Sequence, residues 1–277
     1  MSQLKPIKVW GQGGPNPPKV AMILAELGLP SETVNIPILD VKNPEYVAIN
    51  PNGRIPTIYD PNTDITIWES GAIIEYLIER YDSTHRLSFA PGTPESYHAK
   101  QYLYFQVSGQ GPYYGQAIWF KRFHKERVPS AVERYVKEIN RVCGVLNGVL
   151  AEQKKKYGDD TDGPWLVGNK MSYADIAFVP WQTIVNIMCA KDEYDETNYP
   201  YVKEWIGKMM SRETIGGEME KARNASGPPR ETQSDSSNST VSSSGKKDQV
   251  ESIEATDVDA KTPSAVSKEL ESLTLKA

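Results

Sequence analysis

Three short runs near the N-terminus hold the side chains best suited to chemistry. Trp68-Glu69-Ser70-Gly71-Ala72-Ile73-Ile74 carries a carboxylate and a hydroxyl at the start of a helical pattern. Glu69 can pair with an α-ammonium. The Ser70 hydroxyl and main-chain N–H can hold an α-carboxylate at the positive end of that helix. The pair is thus a receptor for an amino-acid-like group; it also fits a charged residue followed by an N-cap serine. The second run, Gly13-Gly14-Pro15-Asn16-Pro17-Pro18-Lys19-Val20, puts Asn16 at another helix start. Asn16 offers a side-chain amide and a backbone N–H as donors; it also suits an N-cap followed by proline at the first helical position. Pro17 and Pro18 remove two N–H groups, which weakens that helix end as an anion site. In the third run, Asn50-Pro51-Asn52-Gly53-Arg54 leads into Ile55-Pro56-Thr57-Ile58-Tyr59, a strand opened by a proline.

The elements that must position these residues alternate in type. Residues 7–10 read as a strand. Val20, Ile23, Leu24 and Leu27 recur at helical spacing, and Gly28 stops that helix. Residues 33–38, 55–59 and 65–68 read as further strands, with Pro61-Asn62 turning between the last two. Ile73, Leu77 and Tyr81, with Ile74 and Ile78, make the next helical stripe. A β-α-β unit followed by a β-β-α unit is the thioredoxin-like arrangement, here over residues 5–86. A linker at residues 82–94, rich in turn residues, ends it. The pattern is then helical over 93–222. A long helix at 94–124 is bent or broken near Gly109-Gln110-Gly111-Pro112. Another spans 129–157, with Val132, Val136, Ile139, Val142 and Leu146 on one face. Ser172-Tyr173-Ala174-Asp175 opens a third as a capping box, and Pro200 begins a fourth. The fold class is therefore an α/β thioredoxin-like domain followed by an all-α domain. From Asn224 to Ala277 no aromatic residue occurs, and Ser, Thr, Asp, Glu and Lys dominate. Such a segment cannot bury enough apolar surface to offset its ordering entropy, so it reads as a disordered tail. Ala265, Val266, Leu270, Leu273 and Leu275 leave open a short helix that docks on a protein partner.

Composition narrows the function. The net charge of -5 over 277 residues argues against nucleic acid as the partner. No apolar run approaches a membrane span. The N-terminal residues show no signal-peptide core, so a cytoplasmic location is expected. Cys143 and Cys189 form no metal motif; either could be a reactive thiol, but both sit among apolar neighbours in a helical pattern, as buried inert thiols do.

The motifs Pro15-Asn16-x-x-Lys19-Val20, Glu26-Leu27-Gly28, Asn50-Pro51-Asn52-Gly53-Arg54-Ile55-Pro56 and Trp68-Glu69-Ser70-Gly71-Ala72-Ile73 resemble one branch of the cytosolic glutathione transferases. That branch holds fungal enzymes related to the yeast nitrogen-regulation prion protein, and bacterial nu-class enzymes. Gln106-Val107-Ser108-Gly109-Gln110-Gly111-Pro112, Gly115-Gln116-Ala117, Ser130-Ala131-Val132-Glu133-Arg134-Tyr135 and Tyr173-Ala174-Asp175-Ile176-Ala177-Phe178-Val179-Pro180-Trp181 extend the likeness through the helical region, to about residue 215. The resemblance implies glutathione as co-substrate, no metal, a homodimer and an apolar electrophile. Glu69 and Ser70 would grip the γ-glutamyl end. Ile55, before a cis Pro56, would pair with the cysteinyl peptide. Asn16 would stabilise the thiolate, by its amide or by its backbone. Lys42 and Arg54 would meet the glycyl carboxylate, or are solvated charges. Tyr113, Tyr114 and Trp119, with Phe120, are candidates for the electrophile pocket; interhelix core is the other reading of Trp119 and Phe120. The family's usual Tyr, Ser or Cys is missing beside the first helix, and Pro17 replaces the branch's usual glycine. The prion protein's Asn/Gln-rich N-terminal extension is missing too, and an acidic Ser-rich C-terminal segment stands instead, so neither prion behaviour nor nitrogen regulation is implied. Three activities are open: conjugation of glutathione to electrophiles with accompanying peroxide or disulfide reduction, non-catalytic regulation, and a dedicated step of fungal secondary metabolism.

Overall fold

The computed structural model describes residues 4–158 and 162–226; the tail predicted over 224–277 lies outside it from residue 227 onward. Four strands form one mixed sheet in the order β2-β1-β3-β4. β1 (Ile7–Trp10) pairs in parallel with β2 (Ser31–Val34), Ile7 opposite Ser31. It pairs antiparallel with β3 (Thr57–Asp60), which pairs antiparallel with β4 (Ile65–Trp68). Alternation sets the faces: Ile7 and Val9 are buried and Lys8 is exposed. Two strands differ from the sequence expectation. β2 occupies residues 31–34 rather than 33–38, because β1 offers four partners and the Gly11 N–H closes the ladder on the Val34 carbonyl. β3 starts at Thr57 rather than Ile55, because Pro56 has no N–H to give a ladder.

Helix α1 (Pro17–Leu27) ends at Gly28 in the left-handed conformation, φ 68°, where glycine carries no Cβ penalty. After the short α2 (Pro44–Val47) and the β3–β4 hairpin, α3 (Ser70–Tyr81) buries Ile73, Ile74 and Leu77. α1 packs against α3 and also against helices α7 and α9 of the second half, described below, so it stands at the joint between the two layers.

The helical half opens with α4 (Pro94–Phe105), capped by the Thr93 side chain. A single π turn (Gln106–Gln110) leads into α5 (Gly111–Arg122). This turn is the expected bend; Pro112 cannot donate to the carbonyl four residues back, and the wider turn absorbs the defect. α6 (Pro129–Tyr157) buries Ile139, Val142, Cys143, Leu146 and Leu150, while Val132 and Val136 are half-buried. α7 (Tyr173–Met188) is buried over most of its length and starts with the expected capping box. The Asp175 carboxylate accepts from the Ser172 N–H and hydroxyl, the Leu166 N–H and Trp205 Nε1, all at 2.8–3.0 Å. α8 (Pro200–Met210) follows, and then α9 (Glu213–Ala225), a helix the sequence reading passed over. Its signal was the spacing of Ile215, Met219 and Ala222, the three residues it buries.

Candidate functional site

The residues predicted to hold glutathione lie on the Asn50–Pro56 loop, the α3 N-terminus and the β1–α1 loop, with Lys42 beside the first of these. The loop is built from within. Tyr46 Oη and Asn50 Nδ2 each donate to the Arg54 carbonyl at 2.8 Å, and each reaches Thr57 Oγ1 as well. Gly53 is at φ 57°, and a Cβ there would lie 2.7 Å from the Val41 carbonyl oxygen, so a side chain would push the two loop segments apart. Lys42 Nζ donates to the Asn52 carbonyl (2.9 Å), and the Arg54 side chain is exposed on the same rim. The bond between Ile55 and Pro56 is cis. The Ile55 N–H and C=O have no hydrogen-bond partner among the described residues, which leaves one donor and one acceptor for an extended ligand. Gly11, at φ 95°, leaves room for the Ile55 side chain, which a Cβ would meet at 2.6 Å.

At one end of this loop stands Glu69, in the left-handed region at φ 72°. A glutamate there costs about 1–2 kcal/mol, and the conformation turns the chain from β4 into α3. Asn52 Nδ2 donates to Glu69 Oε1 (3.2 Å). Ser70 is buried at the first turn of α3, where the leading N–H groups have no acceptor within the helix. Behind it lies a residue to which the sequence reading gave no role. Lys19, 2% exposed, extends Nζ to Gln106 Oε1 at 2.6 Å and to Ser70 Oγ at 3.5 Å. Burial pulls its pKa down to about 7, with Glu69 pulling the other way. The available signal was periodicity: Lys19, Ile23 and Glu26 share one face of α1, so a lysine falls on a face that is buried.

At the other end stands Asn16. It occupies the N-cap position with helical dihedrals and makes no side-chain cap. Its Oδ1 instead accepts from Trp181 Nε1 at 3.0 Å. Two glycines one turn apart on α5 leave room for that indole; a Cβ on Gly111 would sit 3.4 Å from Trp181 Nε1, and one on Gly115 3.2 Å from its ring. With the carbonyl side of the amide taken, the N–H2 side is left to donate. Ser226 Oγ accepts from the Gly14 N–H (3.0 Å) on the same loop.

Trp181 also lines an apolar pocket with Tyr114, Ile118, Val185, Met188 and Cys189. Lys121 stands at it, paired with Glu193. Of the three aromatic residues predicted for an electrophile pocket, Tyr114 lines this one, with its hydroxyl turned inward to Gln182 Oε1 (3.3 Å) and Cys143 Sγ (3.1 Å). Burial holds the Tyr114 hydroxyl well above its ordinary pKa. Tyr113 packs on Tyr135 (ring centroids 6.3 Å apart) instead. Trp119 is 49% exposed beside Phe123, and Phe120 stacks on Tyr135. Burial also raises the Cys143 and Cys189 thiols, so neither is a poised nucleophile. Among the described residues no group of His, Cys, Asp or Glu could hold a metal, and no helix is long and apolar enough to cross a membrane.

A thioredoxin-like sheet that presents a free backbone donor and acceptor, with a helical domain packed on it, is the glutathione transferase fold. The chain belongs to the glutathione S-transferase family, an enzyme family. Residues 14–80 match the family's N-terminal domain and residues 111–213 its C-terminal domain. It is 62% identical to the glutathione S-transferase-like protein gedE of Aspergillus terreus, over 78% of this chain and 95% of that one. It is 61% identical to the glutathione S-transferase-like protein tpcF of Aspergillus fumigatus, over 76% and 94%. Among solved structures, the transferase URE2P8 of Phanerochaete chrysosporium with oxidized glutathione superposes with a TM-score of 0.72, at 39% identity over 81% of this chain and 98% of that one.

Proposed function

We propose that this protein binds glutathione between Glu69 and Asn16 and transfers its thiolate to an apolar electrophile. Glu69 pairs with the γ-glutamyl ammonium, and Ser70 with its carboxylate. The free N–H and C=O of Ile55 pair with the cysteinyl residue, and Lys42 and Arg54 form the rim that faces the glycyl carboxylate. A tripeptide held by these contacts would bring its sulfur to Asn16. A free thiol has a pKa near 8.5, so only a few per cent is ionised at neutral pH. Donors aimed at the sulfur favour the anion. The thiolate then attacks the electrophile, a carbon–sulfur bond forms and the leaving group departs with its electron pair.

The observation that carries this reading is the Trp181–Asn16 hydrogen bond, which leaves the amide N–H2 of Asn16 as the donor side. The same indole lines the apolar pocket, so one side chain touches both reactants' places. Tyr113 and Trp119, also predicted for the electrophile, do not line that pocket; Tyr113 packs on Tyr135 and Trp119 on Phe123. The URE2P8 structure supports a second reading, reduction of peroxides or disulfides through glutathione, because the ligand there is itself a disulfide. In both readings the enzyme works in the cytoplasm as a homodimer; Tyr97 and Tyr104, two turns apart on α4, are more than half exposed and offer a face to a second copy. The domain limits are residues 5–86 and 93–222. The roles are detoxification of electrophiles, the oxidative stress response or one dedicated biosynthetic step. Regulation without catalysis, through a protein bound to residues 224–277, is the competing role.

The deciding experiment is glutathione-dependent turnover of an aryl halide, an organic hydroperoxide and a mixed disulfide by the full-length chain. Turnover of the halide establishes conjugation, and turnover of the other two establishes thiol redox chemistry. Silence on all three, with glutathione bound, refutes broad transfer activity.

A further inference from the structure

Lys19 is the buried charge that the reaction described above leaves without work. An ammonium has three donors and no acceptor. Here one donor is spent on Gln106 Oε1 at 2.6 Å, and a second lies 3.5 Å from Ser70 Oγ, at the outer limit of hydrogen bonding. The rest of the chain is oriented by this end. Since Gln106 Oε1 must accept from Lys19, its Nε2 donates to Gln110 Oε1 (3.0 Å), and Gln110 Nε2 donates to Gln182 Oε1 (3.3 Å). The same logic holds at Ser70. A hydroxyl that accepts from an ammonium behind it has its own hydrogen free to point outward, toward the mouth of α3.

A buried cation is costly unless an anion pairs with it. Glu69 supplies part of that pairing, and the Glu69 carboxylate is also the group proposed to meet the ligand's ammonium. Of the charged groups on the other elements packed on α1, Glu26 and Arg212 close on each other two turns further along. Asp175 of α7 is spent on Leu166, Ser172 and Trp205. The charge of Lys19 is therefore offset only in part, and Ser70 Oγ is its contact toward the α3 N-terminus.

We propose that Lys19 is a positioning residue for the γ-glutamyl carboxylate: from behind Ser70 it turns the serine hydroxyl outward and sets a positive charge under the carboxylate. The inference rests on the glutathione reading of Glu69 and Ser70. It makes the cradle a sorting device, cation under Ser70 and anion at Glu69, which fits an amino-acid head in one orientation. It also gives glutathione binding a pH dependence. With burial holding the lysine near pH 7, a neutral amine above that pH loses its pull on the carboxylate, and ligand binding draws a proton back onto it.

The test uses the full-length chain and S-methylglutathione, a thioether that removes thiol titration from the measurement. Calorimetric Kd values are taken from pH 6 to pH 8 in buffers of differing ionisation heat. Wild type should bind more weakly as pH rises, with proton uptake on binding at pH 7.5. Lys19→Met should bind about tenfold more weakly at pH 6 and lose both the pH slope and the uptake; every other titrating group, the ligand's included, is shared with wild type. Gln106→Glu sets a carboxylate against Nζ, so the slope should move to higher pH, and this variant decides the matter if the methionine variant fails to fold. Equal slopes in wild type and Gln106→Glu, or unchanged affinity in folded Lys19→Met, overturn the proposal. Glu69→Ala separates the two levels. If it weakens binding while Lys19→Met does not, Lys19 alone fails; if neither matters, the glutathione reading fails with it.

Discussion

At the Glu69 end of the cradle the side-chain partner of the carboxylate, Asn52, is 17 residues away in sequence; at the Asn16 end the partner, Trp181, is 165 residues away. The first contact lies within the β3–β4 hairpin and the loop that precedes it. The second exists only when the helical domain has closed over α1. The proposed γ-glutamyl grip is therefore built by the sheet domain, and the proposed thiol donor by the joint. Since Trp181 also lines the apolar pocket, the contact that orients the Asn16 amide and the wall of the pocket depend on one side chain.

The largest effect should come from cutting the joint itself. Glu26, near the C-terminal end of α1, is 1% exposed at its side chain and is held by Arg212 through two bonds of 3.0 Å, with Thr214 and Arg86 beside it. Glu26→Ala should destabilise the protein by about 3–5 kcal/mol in urea titrations, since it strands a partly buried guanidinium. Burial alone would raise the Glu26 pKa, but Arg212 and Thr214 outweigh it and hold the carboxyl below its ordinary value. A depressed carboxylate contributes stability above its unfolded pKa and loses it as pH falls through the folded one. The gap between wild type and variant should thus close in acid, below about pH 4.5. A constant gap down to pH 3 would show that the pairing is not the source.

The local end breaks differently. Glu69→Ala removes a charge-assisted contact to the ligand's ammonium, about 2–3 kcal/mol, so the glutathione KM should rise about a hundredfold while kcat changes little. Glu69→Gly should lose as much binding yet be about 1 kcal/mol more stable than the alanine variant, because glycine holds φ 72° without strain. Next in size is the distant end. Asn16→Ala and Trp181→Phe should each lower kcat about tenfold and leave the glutathione KM near wild type. If Trp181 works through Asn16, the double variant is no slower than the single ones. Additive losses would sever the link between joint and thiol.

The same contrast explains what could be read from the residues in order. Glu69, Ser70, Ile55 and Pro56 are legible because their roles depend on a hairpin, a helix start and a proline, all short-range features. The bend at Gln106–Gln110 is legible from Pro112 and the glycines around it. Lys19 is not legible as part of the site, because its partners Ser70 and Gln106 are 51 and 87 residues away and a lysine looks like surface until α1 is seen packed on three sides. Tyr114 is legible as a pocket residue but not as one whose hydroxyl faces the core. Trp181 appears in the sequence only as part of a resembling motif. Its donor finds Asn16 because Gly111 and Gly115 open α5 beside it, a fact of packing rather than pattern.

The smallest of the expected effects is the sharpest test of how the local end is held. Asn52 reaches Glu69 at 3.2 Å across an exposed gap, one neutral donor on a charged acceptor, worth about 1 kcal/mol. Asn52→Ala should therefore raise the glutathione KM about fivefold, far less than Glu69→Ala. The reason lies in the backbone: Glu69 is aimed by its left-handed turn and by the Ile73 N–H that bonds its carbonyl at 2.9 Å, and neither depends on Asn52. If Asn52→Ala matched Glu69→Ala, the side-chain bond and not the strained turn would be holding the carboxylate. The two ends of the cradle would then be alike, each set by one hydrogen bond that a single substitution removes.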